Sequence, residues 1–442
     1  MSILSRILKK YNVSENKEKI VRNLFWALTG KVVNMLGSLF VGIIVARYLG
    51  PDQYGLMSYV ISFVTVFQVV AYFGLDSIQI REEAKDKEKK AVIIGTTFTL
   101  KLIFAACSFI ILNIIVLCSE SNSYIRLMIL QYSFTIFFNT FIVIRNHFTS
   151  IVWNEYVVKS EISRTLLGAI FKITLLLLHA SLTWFIFASF FDAVLLSSGY
   201  VLSYKNKIGK ISSWKFDRSI AKFLIGQSFP LLLSGAAIVI YQRIDQVMIG
   251  NMIDKASVGY FSVASKFVEL LIFIPTIMVQ TVTPILVKAH ENNYDEYVQK
   301  GQRFMNITVW ISILAAIITS LLSYWIILIT FGKQYFPAIA VLQILSFKAI
   351  SAALSGTCGA MIVVEGLQKI TFIRDIMGCF ICILLNFLFL PKYGILAAAV
   401  VSITSNLVAG YLSGLFLPIY RHIFIRQTKA LLLGWKDMLS VR

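Results

Sequence analysis

Charged residues are scarce in this chain. Asp, Glu, Lys and Arg make up 14% of its 442 residues and hydrophobic ones 58%, against about 25% and about 45–50% in a soluble domain. The shortage excludes an ordinary soluble fold, because the apolar excess comes in runs long enough to cross a bilayer, which takes about 20 residues. Cysteine is rare too. Cys107, Cys118, Cys358, Cys379 and Cys382 are odd in number and lie mostly within apolar runs, so they build no disulfide framework. Cys379-x-x-Cys382 has a redox or metal spacing, but it lies in GCFICILLNFLFL, where small apolar filler is the reading. The histidines, His147, His179, His290 and His422, are scattered. No metal cluster, no nucleophile beside a base and no phosphate loop emerges, so neither a cofactor nor catalysis is expected.

What the chain has is twelve apolar runs, near 22–48, 53–75, 91–117, 124–147, 161–179, 182–203, 221–250, 256–287, 304–330, 337–364, 370–390 and 394–418. They predict an all-α integral membrane protein of about twelve transmembrane helices. The first run is longer than the ~7–15-residue core of a signal peptide and reads as a retained span. The net charge of +19 is not a nucleic-acid footprint, because the basic residues crowd into alternate loops. One side takes 30 Lys and Arg, the other five, and six remain inside the runs. The positive-inside rule makes the rich side cytoplasmic, with both termini on it, as for a multi-pass membrane protein. This divides the chain into an N-terminal segment 1–21, a six-helix bundle 22–203, a basic linker 204–220, a second bundle 221–418 and a basic tail 419–442. The stretches 2–10 and 419–435 mix apolar and basic residues at helical spacing and read as interfacial helices on an anionic leaflet or as solvated tails.

The two halves echo each other. LGPDQYGLMSYVISFV at 49–64 resembles IGNMIDKASVGYFSVASKFV at 249–268. Gly50 faces Gly250 and, past a four-residue insertion, Gly55 faces Gly259 and Ser58 faces Ser262. Each stretch joins the first and second span of a six-span set, the parallel-repeat design of some transporters.

Ions at span depth mark where such a protein works. The cations are Lys31, Lys101, Lys172, Arg243, Lys266 and Lys348, and the anions Asp192, Asp245 and Glu269. One central charge costs roughly 2.5–3.5 kcal/mol on insertion scales, so six facing lipid would cost on the order of 15–20 kcal/mol. That exceeds a typical net stability of about 5–15 kcal/mol, so they face protein or water, or snorkel to an interface as Lys101, Lys172 and Arg243 are placed to do. Lys31, Asn34 and Ser38 share a helical face, as do Ser262, Lys266 and Glu269, and Lys348, Ser351 and Ser355. Lys266 and Glu269 are spaced to pair, whereas Arg243 and Asp245 at i and i+2 need partners on other helices. The surplus of positive charge invites an anion. Pro230, Pro275 and Pro284 are expected to bend or loosen their helices.

At these residues the chain resembles a known family. Ala46-Arg47-x-Leu49-Gly50-Pro51-x-x-Tyr54-Gly55, then Gly74 and Arg81, resembles the opening of the Wzx-type polysaccharide flippases. So does Asp245-Gln246-Val247-Met248-Ile249-Gly250, followed by Val258-Gly259-Tyr260 and Ala264-x-Lys266. Their superfamily includes the multidrug exporters called MATE and the lipid II flippases. The resemblance implies a MATE-like pair of six-helix bundles around a central cavity open alternately to either side. The cargo it implies is an undecaprenyl-pyrophosphate-linked oligosaccharide, an O-antigen repeat unit, passed from the cytoplasmic to the periplasmic leaflet. Lys31, Asn34, Lys101, Lys172, Arg243, Lys266 and Lys348 would then bind the anionic headgroup. Asp192, Asp245 and Glu269 would carry a coupling H⁺ or Na⁺ or gate the path. The polymerase and other O-antigen assembly proteins are the implied partners, along with membrane lipid. Two other readings stay open. A MATE-type drug antiporter should line its cavity with surplus carboxylates, and a membrane polymerase or ligase should carry a large periplasmic loop.

Overall fold

A computed structural model of the chain describes residues 15–86 and 88–439; the stretch 2–10 lies outside them. Among the described residues there is no strand. The helices are α1 (Glu15–Tyr72), α2 (Leu75–Lys85), α3 (Lys90–Ser119), α4 (Ser123–Ser133), α5 (Thr135–Phe138), α6 (Ile142–Ser150), α7 (Asn154–Leu177) and α8 (Leu182–Lys207). Then come α9 (Arg218–Met252), α10 (Lys255–Asn292), α11 (Tyr294–Thr330), α12 (Ala338–Leu345), α13 (Lys348–Val364), α14 (Thr371–Tyr393), α15 (Ile395–Leu407), α16 (Ser413–Phe416), α17 (Arg421–Leu433) and α18 (Trp435–Leu439). An all-helical answer is what a bilayer demands, since helices satisfy every backbone group internally.

Among the described residues ten helical stretches are long and apolar enough to cross a membrane. One of them holds two crossings, because α1 breaks at Gly50, whose φ of 71° and ψ of 173° are not helical, just before Pro51. The helix α7 has the length but carries Lys159, Glu161, Arg164 and Lys172, so hydropathy alone passes it over. These make the twelve expected crossings, six in each half. Outward side chains such as Leu321, Ile329, Phe380 and Phe387 are largely uncovered, as a lipid-facing surface requires. Polar caps set several ends. Asn122 accepts from Tyr124 N at 2.9 Å to start α4, Asp254 from Ser257 N at 2.6 Å to start α10, and Asn293 from Asp295 N at 2.9 Å to start α11. Such a cap contributes about 1 kcal/mol.

By internal packing the chain forms two units. One runs to Val45 and resumes at Phe67–Leu232; the other is Ala46–Val66 with Leu233 onward. These do not follow the halves 22–203 and 221–418 residue for residue. The segment 46–66 packs in the second unit, and the first part of α9 packs in the first.

The tail differs from the sequence expectation. Residues 421–433 are helical, but α17 buries Ile423, Gln427 and Ala430 in the second unit beside Tyr297, Leu354 and Met361. Gln427 Nε2 donates to Leu354 O at 2.9 Å and Gly410 O at 3.0 Å. Gly410 sits in a π-helical turn over Val408–Leu412, whose wider register leaves such a carbonyl available. Glu365 accepts from Tyr297 Oη at 2.6 Å and meets His422 Nε2 at 2.6 Å. The tail helix is thus docked through one face rather than lying wholly on a lipid surface; Ile425 and Leu432 remain outward.

Candidate functional site

In the second unit α9, α10, α13 and α15 enclose a cavity of about 350 Å³. Arg243, Asp245, Glu269 and Lys348 line it together with Tyr241, Gln246, Ser355 and Asn406. Four of the ions singled out in the sequence therefore converge on one place. Arg243 and Asp245 are two residues apart on α9 and do not pair, as their spacing requires. Asp245, 1% exposed, accepts from Asn386 Nδ2 at 2.7 Å and from the Cys382 thiol at 3.4 Å. Lys348 lies close enough to act on it electrostatically and donates to Ser402 Oγ at 2.6 Å. The buried carboxylate thus has both a countercharge and fixed donors, which is what permits an ion at this depth. Among the described residues Arg243 makes no ion pair. It faces the cavity as a fork of donors suited to an oxyanion.

Lys266 lies in the same unit but does not line this cavity. It hydrogen-bonds Tyr54, which is 2% exposed. The expected pair with Glu269 does not form among the described residues, because Lys266 is drawn to the Tyr54 hydroxyl and Glu269 turns to the cavity.

The remaining sequence candidates belong to the first unit and have local partners. Lys101 is wholly buried and paired with Asp76. Lys172 is paired with Asp192. Neither lysine snorkels free. Asn34 donates to Glu161 Oε2 at 3.1 Å, and its Oδ1 accepts from Arg164 at 3.2 Å and from Thr165. Lys31, half-buried, lies beside Arg145 and Glu161.

These pairings correct the charge argument. Counting only Asp192, Asp245 and Glu269 as anions leaves a surplus of cations. The structure adds Asp76, Glu83, Glu161 and Asp375, which pair with Lys101, His147, Arg145 and Arg374. The cavity itself holds two cations and two carboxylates, so it is charge-balanced and zwitterionic rather than cationic. Sequence reasoning also missed Cys382, Asn386, Ser402 and Asn406. Neutral polar groups raise no signal in an apolar run; only their helical spacing, Cys382 to Asn386 and Ser402 to Asn406, hints at a shared face. Among the described residues no three His, Cys, Asp or Glu side chains group as metal ligands.

The motif residues gather at a seam within the second unit. Gly55 lies against Lys255 and Gly259, and Gly259 against Pro51. Gly250 packs on the Tyr59 ring, whose hydroxyl donates to Asn251 Oδ1 at 2.7 Å. Lys255 Nζ sits 3.4 Å over that ring and donates to Gly250 O at 2.7 Å. Ser62 donates to Gln246. Arg47 donates to Ile329 O, and the Ala46 carbonyl accepts from Tyr335 Oη at 2.8 Å. The two repeat copies thus contact each other. Arg81 stands apart, in the first unit, on Glu82 at 2.7 Å and Gln227 at 3.4 Å.

Comparison with known proteins places this geometry. Residues 20–290 match the family described as polysaccharide biosynthesis protein. A curated relative is the capsular polysaccharide biosynthesis protein CapF of Staphylococcus aureus, 23% identical over 235 residues. That alignment spans 52% of this chain and 58% of CapF. Among solved structures, the lipid II flippase MurJ in an inward closed conformation superposes with a TM-score of 0.70 at 16% identity, covering 95% of this chain and 93% of that one. An inward-facing MATE-family multidrug transporter superposes with a TM-score of 0.66 at 16% identity, covering 92% and 96%. The fold is therefore that of the MATE and MurJ transporters.

Proposed function

The chain belongs to the polysaccharide biosynthesis protein family, and from that membership we propose that it flips a lipid-linked oligosaccharide across the membrane. The cargo is an undecaprenyl-pyrophosphate-linked repeat unit of a surface polysaccharide, of the O-antigen or capsular kind. It passes from the cytoplasmic to the periplasmic leaflet of a bacterial inner membrane by alternating access. The observation that carries the reading is the polar cavity of the second unit, where Arg243 has no ion-pair partner among the described residues and is flanked by the amides of Gln246 and Asn406. Arginine is suited to phosphate or to an acidic sugar, and amides to sugar hydroxyls. The lipid tail need never leave the bilayer.

Asp245 and Glu269 are the carboxylates placed to exchange a coupling H⁺ or Na⁺, because both line this cavity, whereas Asp192 lies in the first unit beside Lys172. The drug-antiporter reading is disfavoured by the charge balance, because two carboxylates opposite Arg243 and Lys348 leave no net attraction for an organic cation. The polymerase and its assembly partners would receive the flipped unit. The test is reconstitution. Proteoliposomes holding the protein and a lipid-linked oligosaccharide should expose the glycan to a membrane-impermeant glycosidase faster than protein-free vesicles do. Equal rates would end the proposal.

A further inference from the structure

The first unit holds a second cluster of ionisable groups, away from the cavity. Lys101 of α3 pairs with Asp76 of α2. Asn146 of α6 donates Nδ2 to Asp76 Oδ1 at 2.6 Å and to Gln79 Oε1 at 3.0 Å. Gln79 donates Nε2 to Glu83 Oε1 at 2.7 Å and to Val143 O at 2.8 Å. The other Glu83 oxygen meets His147 Nδ1 at 2.6 Å and accepts from Ser150 Oγ at 3.1 Å. Gln79, Glu83 and Lys101 are wholly buried, and His147 is 4% exposed.

The charges do not close without a proton. Lys101 is taken up by Asp76, whose side chain is 35% exposed, so the wholly buried Glu83 is left with His147 as its one ion-pair partner among the described residues. Arg145, next to Asn146 on α6, lies 3.9 Å from Glu161 and is near enough to Lys101 to act on it, but it is not paired with Glu83. Tyr204 of α8 packs its ring edge-on to His147 at 5.6 Å and, with its hydroxyl accepting from Trp214 Nε1 at 3.0 Å, supplies no charge. A proton on His147 neutralises Glu83; without it that carboxylate stays buried with its charge unmatched, which is costly. Asn146 and Gln79 hold the two carboxylates in place but are amides, which do not relay protons. The proton must therefore reach the histidine directly.

His147 has a way to receive it. The ring borders an open cavity of about 400 Å³ with Glu88, Lys90, Tyr204 and Gly209 at its wall. Its Nδ1 is committed to Glu83, so the nitrogen left to exchange is Nε2. A carboxylate behind a histidine fixes the tautomer in this way. Histidine is also the side chain whose ordinary charge change falls between about pH 5 and 8.

We propose that the Glu83–His147 pair is a proton-exchange site, loaded through Nε2 from the cavity at the ends of α3 and α8. The positive-inside reading puts that cavity on the cytoplasmic side. The site is separate from Asp245 and Glu269, and its existence does not depend on what cargo the chain carries.

The test uses the full chain in lipid nanodiscs with ¹⁵N-labelled histidine rings. Substituting His179→Gln, His290→Gln and His422→Gln together leaves His147 as the one histidine signal; in the unsubstituted chain it is the signal pair lost in His147→Gln. As pH is lowered from 9 to 5, the ring should gain one proton, with Nδ1 protonated in both forms. Glu83→Gln should abolish that preference for Nδ1. A ring that stays neutral or stays cationic across the whole range would overturn the site, as would a neutral ring carrying its proton on Nε2.

Discussion

Gly55 and Gly259, equivalent positions of the internal repeat, lie against one another: a Cβ built on Gly55 would stand 2.7 Å from the Gly259 nitrogen and would overlap the Lys255 carbonyl. A Cβ on Gly259 would stand 3.1 Å from the Pro51 carbonyl carbon. Both obstacles are backbone, so neither can swing aside. Gly55→Ala and Gly259→Ala should each destabilise the second unit by about 1–3 kcal/mol. Because both act by parting the same seam, the double variant should cost less than the sum. Thermal unfolding in detergent measures all three. Full additivity would mean that the two glycines do not share one contact.

Asp245 and Lys348 are expected to stand or fall together. Asp245→Asn keeps the shape but takes away the carboxylate that Lys348 acts on, so recovery from membranes should fall. Lys348→Met does the converse. Combining them should restore much of the protein recovered from membranes while leaving transport lost. Abundance and flipping, measured on the same preparations, separate the two effects. A double variant as unstable as the worse single one would show that the residues are not partners.

Arg243 should behave differently. It makes no ion pair among the described residues, so Arg243→Gln should change stability by no more than about 0.5 kcal/mol. Flipping should fall at least tenfold, about 1.4 kcal/mol of lost barrier lowering, and Arg243→Lys should recover part of it. An unchanged flipping rate in Arg243→Gln would remove this side chain from the cargo path.

Lys101→Met should have the opposite profile. It takes from Asp76 its ion-pair partner, so recovery from membranes should drop. The fraction that folds should flip at a rate near normal. Poor flipping by well-folded Lys101→Met would return this lysine to the cargo-binding role that the sequence assigns it.

These contrasts show what could be read without coordinates. Span number and the convergent ions of α9, α10 and α13 are legible because a charge stands out in an apolar run. Asp76 is not, since it falls just past the run 53–75 and hydropathy consigns it to a loop. The structure continues that crossing as α2 after the break at Gly74, φ 66°, and carries Asp76 and Glu83 inward. The countercharge of Lys101 is therefore not visible in the sequence. Asn386 and Ser402 are silent for another reason: a neutral polar residue costs little in a span and needs no sequence-local partner. The repeat was visible as a pattern of glycines, but not that its two copies would touch.

The segment 46–66 belongs to the unit built mainly from residues after 233, and this has a consequence for biosynthesis. The partners of Tyr54, Gly55 and Ser62 lie about 200 residues downstream. At roughly 5–20 residues per second, the ribosome delivers them about 10–40 s after that segment has emerged. For that interval the segment has a polar stripe and no permanent neighbour, so the translocon, a chaperone or the unfinished first unit must shelter it. Fragments cut at the 204–220 linker and expressed one at a time should fail to accumulate, and only co-expression should rescue both.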